Sequence, residues 1–136
     1  MNVVVIDAQG GGIGKQLVEQ LKAALPAQKI IAVGTNSLAT AAMLRAGADQ
    51  GATGENAIRV CARNADLILC PIGMVLCDAM LGEVTGDIAC AIGSSKAHKI
   101  LVPVSRCQTT VAGCTAATMA DAVRDAVSAA VKMLEK

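Results

Sequence analysis

The chain has 136 residues, 54% of them hydrophobic and 17% charged, with a formal net charge of +1 at pH 7 and no Phe, Tyr or Trp. That length suits one domain over residues 1–136 with a core of Val, Ile, Leu, Met and Ala, and a balanced charge offers no basic stripe to nucleic acid or an anionic membrane. Base stacking on aromatic rings is excluded, and no run approaches a spanning length or a signal peptide, so a cytoplasmic protein is expected.

Residues 3–6 are a continuous β-branched run, the pattern of a strand buried on both faces. A glycine stretch follows, and from Ile13 apolar residues recur at Leu17, Leu21 and Leu25 until Pro26 stops the helix. Residues 29–33 repeat the strand pattern, "GTNS" supplies a turn with an N-cap, and residues 38–46 read as a second helix closed by Gly47. Residues 48–53 hold a weak third strand and residues 55–65 a helix with Ile58, Cys61 and Ala62 inward. "DLILC", residues 66–70, is a fourth strand ended by Pro71 and Gly73, whereas "MVLCDAMLGEV" fits a short helix and a loop equally well. Thr85 caps a helix running to Ser95, residues 99–104 make a fifth strand, and residues 119–134 form an amphipathic helix with Met119, Val123, Val127, Ala130 and Leu134 on one face. This alternation predicts an α/β fold: a three-layer, Rossmann-like, doubly wound parallel sheet of about five strands in the order 3-2-1-4-5.

The glycine stretch then lies at the carboxyl end of the first strand, where open parallel sheets bind ligands. Backbone amides of Gly10, Gly11, Gly12, Ile13 and Gly14, at the positive end of a helix, suit a pyrophosphate. The spacing G-x-G-x-x-G is not met. The short-chain dehydrogenase pattern G-x-x-x-G-I-G matches Gly12, Ile13 and Gly14, with Ala8 in place of the first glycine. A nucleotide-hydrolysing phosphate loop would need glycine at Gln9 and a hydroxyl at Gln16, and its deviant form would need lysine at Gly10. ATP hydrolysis is therefore not expected, although Lys15 is within reach of a phosphate. NAD sites carry an acid after the second strand to bond the adenosine ribose. Here that turn is Gly34, Thr35, Asn36 and Ser37, which biases a dinucleotide site toward NADP and counts against S-adenosylmethionine.

The fourth and fifth strands deliver Cys70, Pro71 and Gly73, and Arg106 and Cys107, to the same rim. Cys70 and Cys107 are candidate nucleophiles and Arg106 a candidate anion ligand. His98, the only histidine, falls on the opposite rim. The six cysteines (Cys61, Cys70, Cys77, Cys90, Cys107, Cys114) include no Cys-x-x-Cys pair, so no metal site is expected, and most read as small buried hydrophobes. Without a tyrosine, hydride transfer of the short-chain dehydrogenase kind has no proton donor.

Taken in order, "VIDAQGGGIGKQ", "GTNSLATAAMLRAGADQGATGENAI", "PIGMVL", "MLGEVT" and "SSKAHKILVPVSRC" resemble a family of short Rossmann-like bacterial proteins, domain-of-unknown-function family 3842, met mostly in anaerobic Firmicutes. The resemblance runs from about residue 3 to residue 114 and implies glycine where this chain has Ala8. It also implies "ATGENAI" and "GE" (Gly82, Glu83) as recurring features, which makes Glu55, Asn56 and Glu83 rim candidates, with Glu83 a candidate catalytic residue, and it brings no established activity. The expected function is binding of a phosphate-bearing nucleotide, NAD(P) first, by a sensing or accessory protein. A small cysteine-dependent enzyme and a non-catalytic partner of a larger anaerobic complex are the alternatives. The apolar surplus favours a homo-oligomer.

Overall fold

A computed structural model of the chain describes residues 1–104, 108–116 and 118–135. Its elements run β1 (Val3–Asp7), α1 (Gly12–Ala24), β2 (Ile30–Gly34), α2 (Ser37–Arg45), β3 (Gln50–Thr53), α3 (Glu55–Asn64), β4 (Leu67–Pro71), a 3-10 turn (Ile72–Val75), α4 (Gly86–Gly93), β5 (His98–Val102) and α5 (Met119–Leu134). The five strands form one sheet in the order β3-β2-β1-β4-β5, and every neighbouring pair is parallel. This is the doubly wound α/β arrangement that the alternating pattern predicts.

Alternation along the strands divides the core. Val3 and Val5 of β1, with Leu67 and Leu69 of β4, join Leu17 and Leu21 of α1, Met43 of α2 and Val123 and Val127 of α5 on one face. Val4 and Ile6, with Ile68 and Cys70, meet Ile58 of α3 and Ile88 and Ile92 of α4 on the other. Each fully buried Leu, Ile or Val stabilises the fold by about 1.5–3 kcal/mol, so the helices on both faces contribute to holding the sheet. Helix ends follow residue chemistry. Asn36 accepts the Ala39 amide at 2.9 Å, Thr85 the Ile88 amide at 3.1 Å and Thr118 the Asp121 amide at 3.1 Å. At the amino end of β2, Asp49 ties Ile30 N–H (2.8 Å) to Lys22 (3.1 Å), clamping the start of the strand.

Two expectations shift. The fifth strand ends at Val102 rather than at residue 104, and α4 ends at Gly93 with Ser94 as its cap. The ambiguous residues 74–84 begin in a 3-10 turn (Ile72–Val75) and continue as irregular chain. In that chain Asp78 (φ 66), Met80 (φ 59) and Leu81 (φ 58) are left-handed, and Gly82 (φ 89) follows them. Of the two forms the sequence allows, the segment therefore takes the loop, with Ala79 and Met80 packed against the core and three left-handed non-glycine residues that each cost roughly 1–2 kcal/mol.

The winding reverses between β1 and β4. From β1 the chain crosses over one face of the sheet and from β4 over the other, so their carboxyl ends leave a crevice between them.

Candidate functional site

Four glycines lie between Gln9 and Lys15, and they do different work. Gly11 is left-handed (φ 73), and a Cβ there would meet the Ala39 backbone at 2.8 Å. Gly14 is pressed into α1's contact with the sheet, where a Cβ would come 2.6 Å from Met43 Sδ and 2.9 Å from Asp7 Cβ. Gly10 and Gly12 are not required by packing, since a Cβ on either would meet nothing within 4 Å. Ala8, where the glycine pattern expects its first member, is buried at 3% exposure and keeps φ negative. Its methyl group therefore packs in the core without backbone strain.

The expected run of free amides narrows for a physical reason. Gly11 N–H closes a turn onto Ala8 O at 3.0 Å, and Gly14 N–H donates to Asp7 Oδ2 at 2.7 Å. Asp7 Oδ1 accepts from Ala8 N–H at 2.7 Å, so one carboxylate at the end of β1 holds both ends of the loop. Burial raises the Asp7 pKa above its ordinary value, against the amides of Gly14 and Ala8, which lower it, and with the nearby Glu83 charge, which raises it further. At the first positions of α1 the Gly12 amide has no helical acceptor, and among the described residues no hydrogen bond takes up the amide of Gly10 or Gly12.

Above this loop is a cavity of about 610 Å³, lined by residues 7–13, Gln16, Pro71 at the end of β4, Met80, Leu81, Val104 and Met119. Its volume is that of a small-molecule site. Glu83 follows the left-handed segment, two residues after the cavity-lining Leu81. Its Oε2 accepts from the Gln9 N–H, from Thr35 Oγ1 at 2.6 Å and from Asn36 Nδ2 at 3.3 Å. Partial burial opposes ionisation of Glu83, but the three donors outweigh it and hold the carboxyl below the usual range. Asn36 Nδ2 also reaches Gln9 O at 2.9 Å, and Thr85 Oγ1 donates to Glu55 Oε1 at 2.5 Å. The segment between β4 and α4 is thus strapped over the ends of β1, β2 and β3.

A family model described as Domain of unknown function (DUF3842) matches residues 2–135. The chain belongs to this family. Curated proteins and solved structures give no match. The DUF3842 match extends past residue 114 to take in α5, whose Met119 lines the cavity.

In this DUF3842 chain Gly10, Gly11, Gly12, Ile13 and Pro71 line the cavity together, whereas Glu83, Thr35 and Asn36 do not line it but are hydrogen-bonded to one another and to the cavity-lining Gln9. Lys15 and Ser37 are exposed at the starts of α1 and α2 and do not line the cavity. Gly73 is buried within the 3-10 turn and Asn56 is exposed on α3. His98 begins β5 and so stands on the far rim. Arg106 and Cys107 lie outside the described residues. Cys70 is fully buried among apolar side chains, and its thiol is pushed up to about 12 by burial and by Asp7, against a smaller lowering by Lys99. A thiol so placed stays protonated at neutral pH, which counts against reading it as a nucleophile. Asp7 was legible only as an acid ending a buried strand, with Ala8 and Gln9 between it and the glycine run. Among the described residues no helix is long and apolar enough to cross a membrane.

Proposed function

We propose that this DUF3842 domain binds a phosphate-bearing nucleotide, NAD(P) first, over the glycine loop, as a sensing or accessory protein. One observation carries the reading. Gly10 and Gly12, the two loop glycines that packing does not require, floor a cavity of about 610 Å³ at the point where the sheet reverses its winding. A side chain there would fill the space that a pyrophosphate needs to approach the backbone. Turnover draws no support from Cys70, and Gln16 stands where a hydrolase's phosphate loop carries the hydroxyl that ligates magnesium.

The test is a thermal-shift series of the purified protein against NAD, NADP, ATP, GTP and S-adenosylmethionine, repeated on Gly12→Val. A dinucleotide is expected to raise the wild-type Tm. The variant is expected to keep its unliganded Tm, because the new Cβ meets nothing within 4 Å, and to lose the ligand response. No shift with any ligand, or an equal shift in the variant, would refute binding at this loop.

A further inference from the structure

Resting on the nucleotide reading, we infer that Glu83 is the residue that selects the adenosine ribose, and that it favours a free 2′-hydroxyl over a 2′-phosphate. Dinucleotides in this architecture lay their pyrophosphate on the first glycine loop and their adenosine ribose toward the end of the second strand, where an acid normally accepts the ribose hydroxyls. The end of β2 here has no acid of its own, only Gly34, Thr35, Asn36 and Ser37. Glu83 supplies one from the segment before α4, at a separation of 74 residues from Gln9 and 48 from Thr35. Its carboxylate bridges the glycine loop and the β2 turn, since Oε2 takes the Gln9 amide together with the Thr35 hydroxyl and the Asn36 amide group.

All three donors go to one oxygen. Among the described residues Oε1 of Glu83 has no hydrogen-bond partner, and the carboxylate forms no ion pair. A carboxylate oxygen left open in this way accepts from a ribose hydroxyl and repels a phosphate monoester, which brings nearly two further negative charges. The neutral β2 turn, read alone, leaned toward NADP. The tertiary structure restores the missing charge and reverses that preference. The left-handed Met80 and Leu81, unusual for non-glycine residues, set the short path by which Glu83 arrives there.

Calorimetric titration of NAD and NADP into the wild-type protein and Glu83→Gln tests this, with circular dichroism checking that the variant folds. Wild type is expected to bind NAD at least tenfold more tightly than NADP, and Glu83→Gln to bring the ratio toward one, chiefly by tightening NADP. Equal or tighter NADP binding by wild type would overturn the assignment. So would an unchanged ratio in the variant, or an equal gain for both ligands, which would mean that the side chain merely obstructs the site. If neither dinucleotide binds wild type, the nucleotide reading itself fails, a result distinct from dinucleotide binding that is indifferent to Glu83.

Discussion

Asp7 and Gly14 are an interlocked pair. The carboxylate needs the Gly14 amide at 2.7 Å, and that approach is open only because Gly14 has no side chain. Gly14→Ala would place a methyl 2.9 Å from Asp7 Cβ, so we expect a loss of about 1–3 kcal/mol in urea unfolding, in contrast to the tolerated Gly12→Val. The charge on Asp7 has its own signature. Because burial raises its native pKa above 3.8, the unfolded chain ionises first as pH rises. Stability from this group is therefore complete below 3.8 and falls as pH climbs from there to the raised native value. Asp7→Asn should flatten that decline in a Tm-against-pH profile, and an unchanged profile would contradict the burial argument. Asp49, with a lowered pKa, acts in the opposite sense, so its contribution is lost as pH falls and persists in the variant. Little of this is visible in the one-dimensional sequence. Residue type marks Gly10 to Gly14 as a loop, but only the neighbours in space separate the glycines that pack from those that leave room.

Elements were legible in proportion to the strength of their pattern. Helix α5 occupies residues 119–134 as its apolar stripe predicts, with Val123, Val127 and Ala130 buried. Its start depends on Thr118, whose hydroxyl accepts the Asp121 amide at 3.1 Å. Thr118→Ala should cost about 1 kcal/mol by removing that cap, read as a lower midpoint in chemical denaturation, and a change below a few tenths would show that the cap is idle. The segment before α4 was illegible for a physical reason. Its apolar residues Met80 and Leu81 take left-handed conformations that their side chains disfavour, and Leu81 points fully into solvent, so neither propensity nor periodicity describes them. Only the likeness to the family marked Glu83 as a rim residue. No spacing in the sequence brings position 83 to positions 9 and 35, because that juxtaposition is made by the path of the whole segment.

At the scale of the molecule, strand order was readable because five short apolar runs alternate with helices, and right-handed crossovers leave few other windings. The same winding puts a crevice where β1 and β4 diverge, and the chain places its open glycines at the floor of it. Membership in DUF3842 covers residues 2–135 without naming a ligand, so nucleotide binding rests on the crevice. Calorimetric titration of NAD into the wild-type protein and into Gly12→Val measures it most directly. Wild type is expected to bind saturably, and a variant of equal thermal stability is expected not to bind. Absence of binding by wild type, or the same affinity in both proteins, would contradict it.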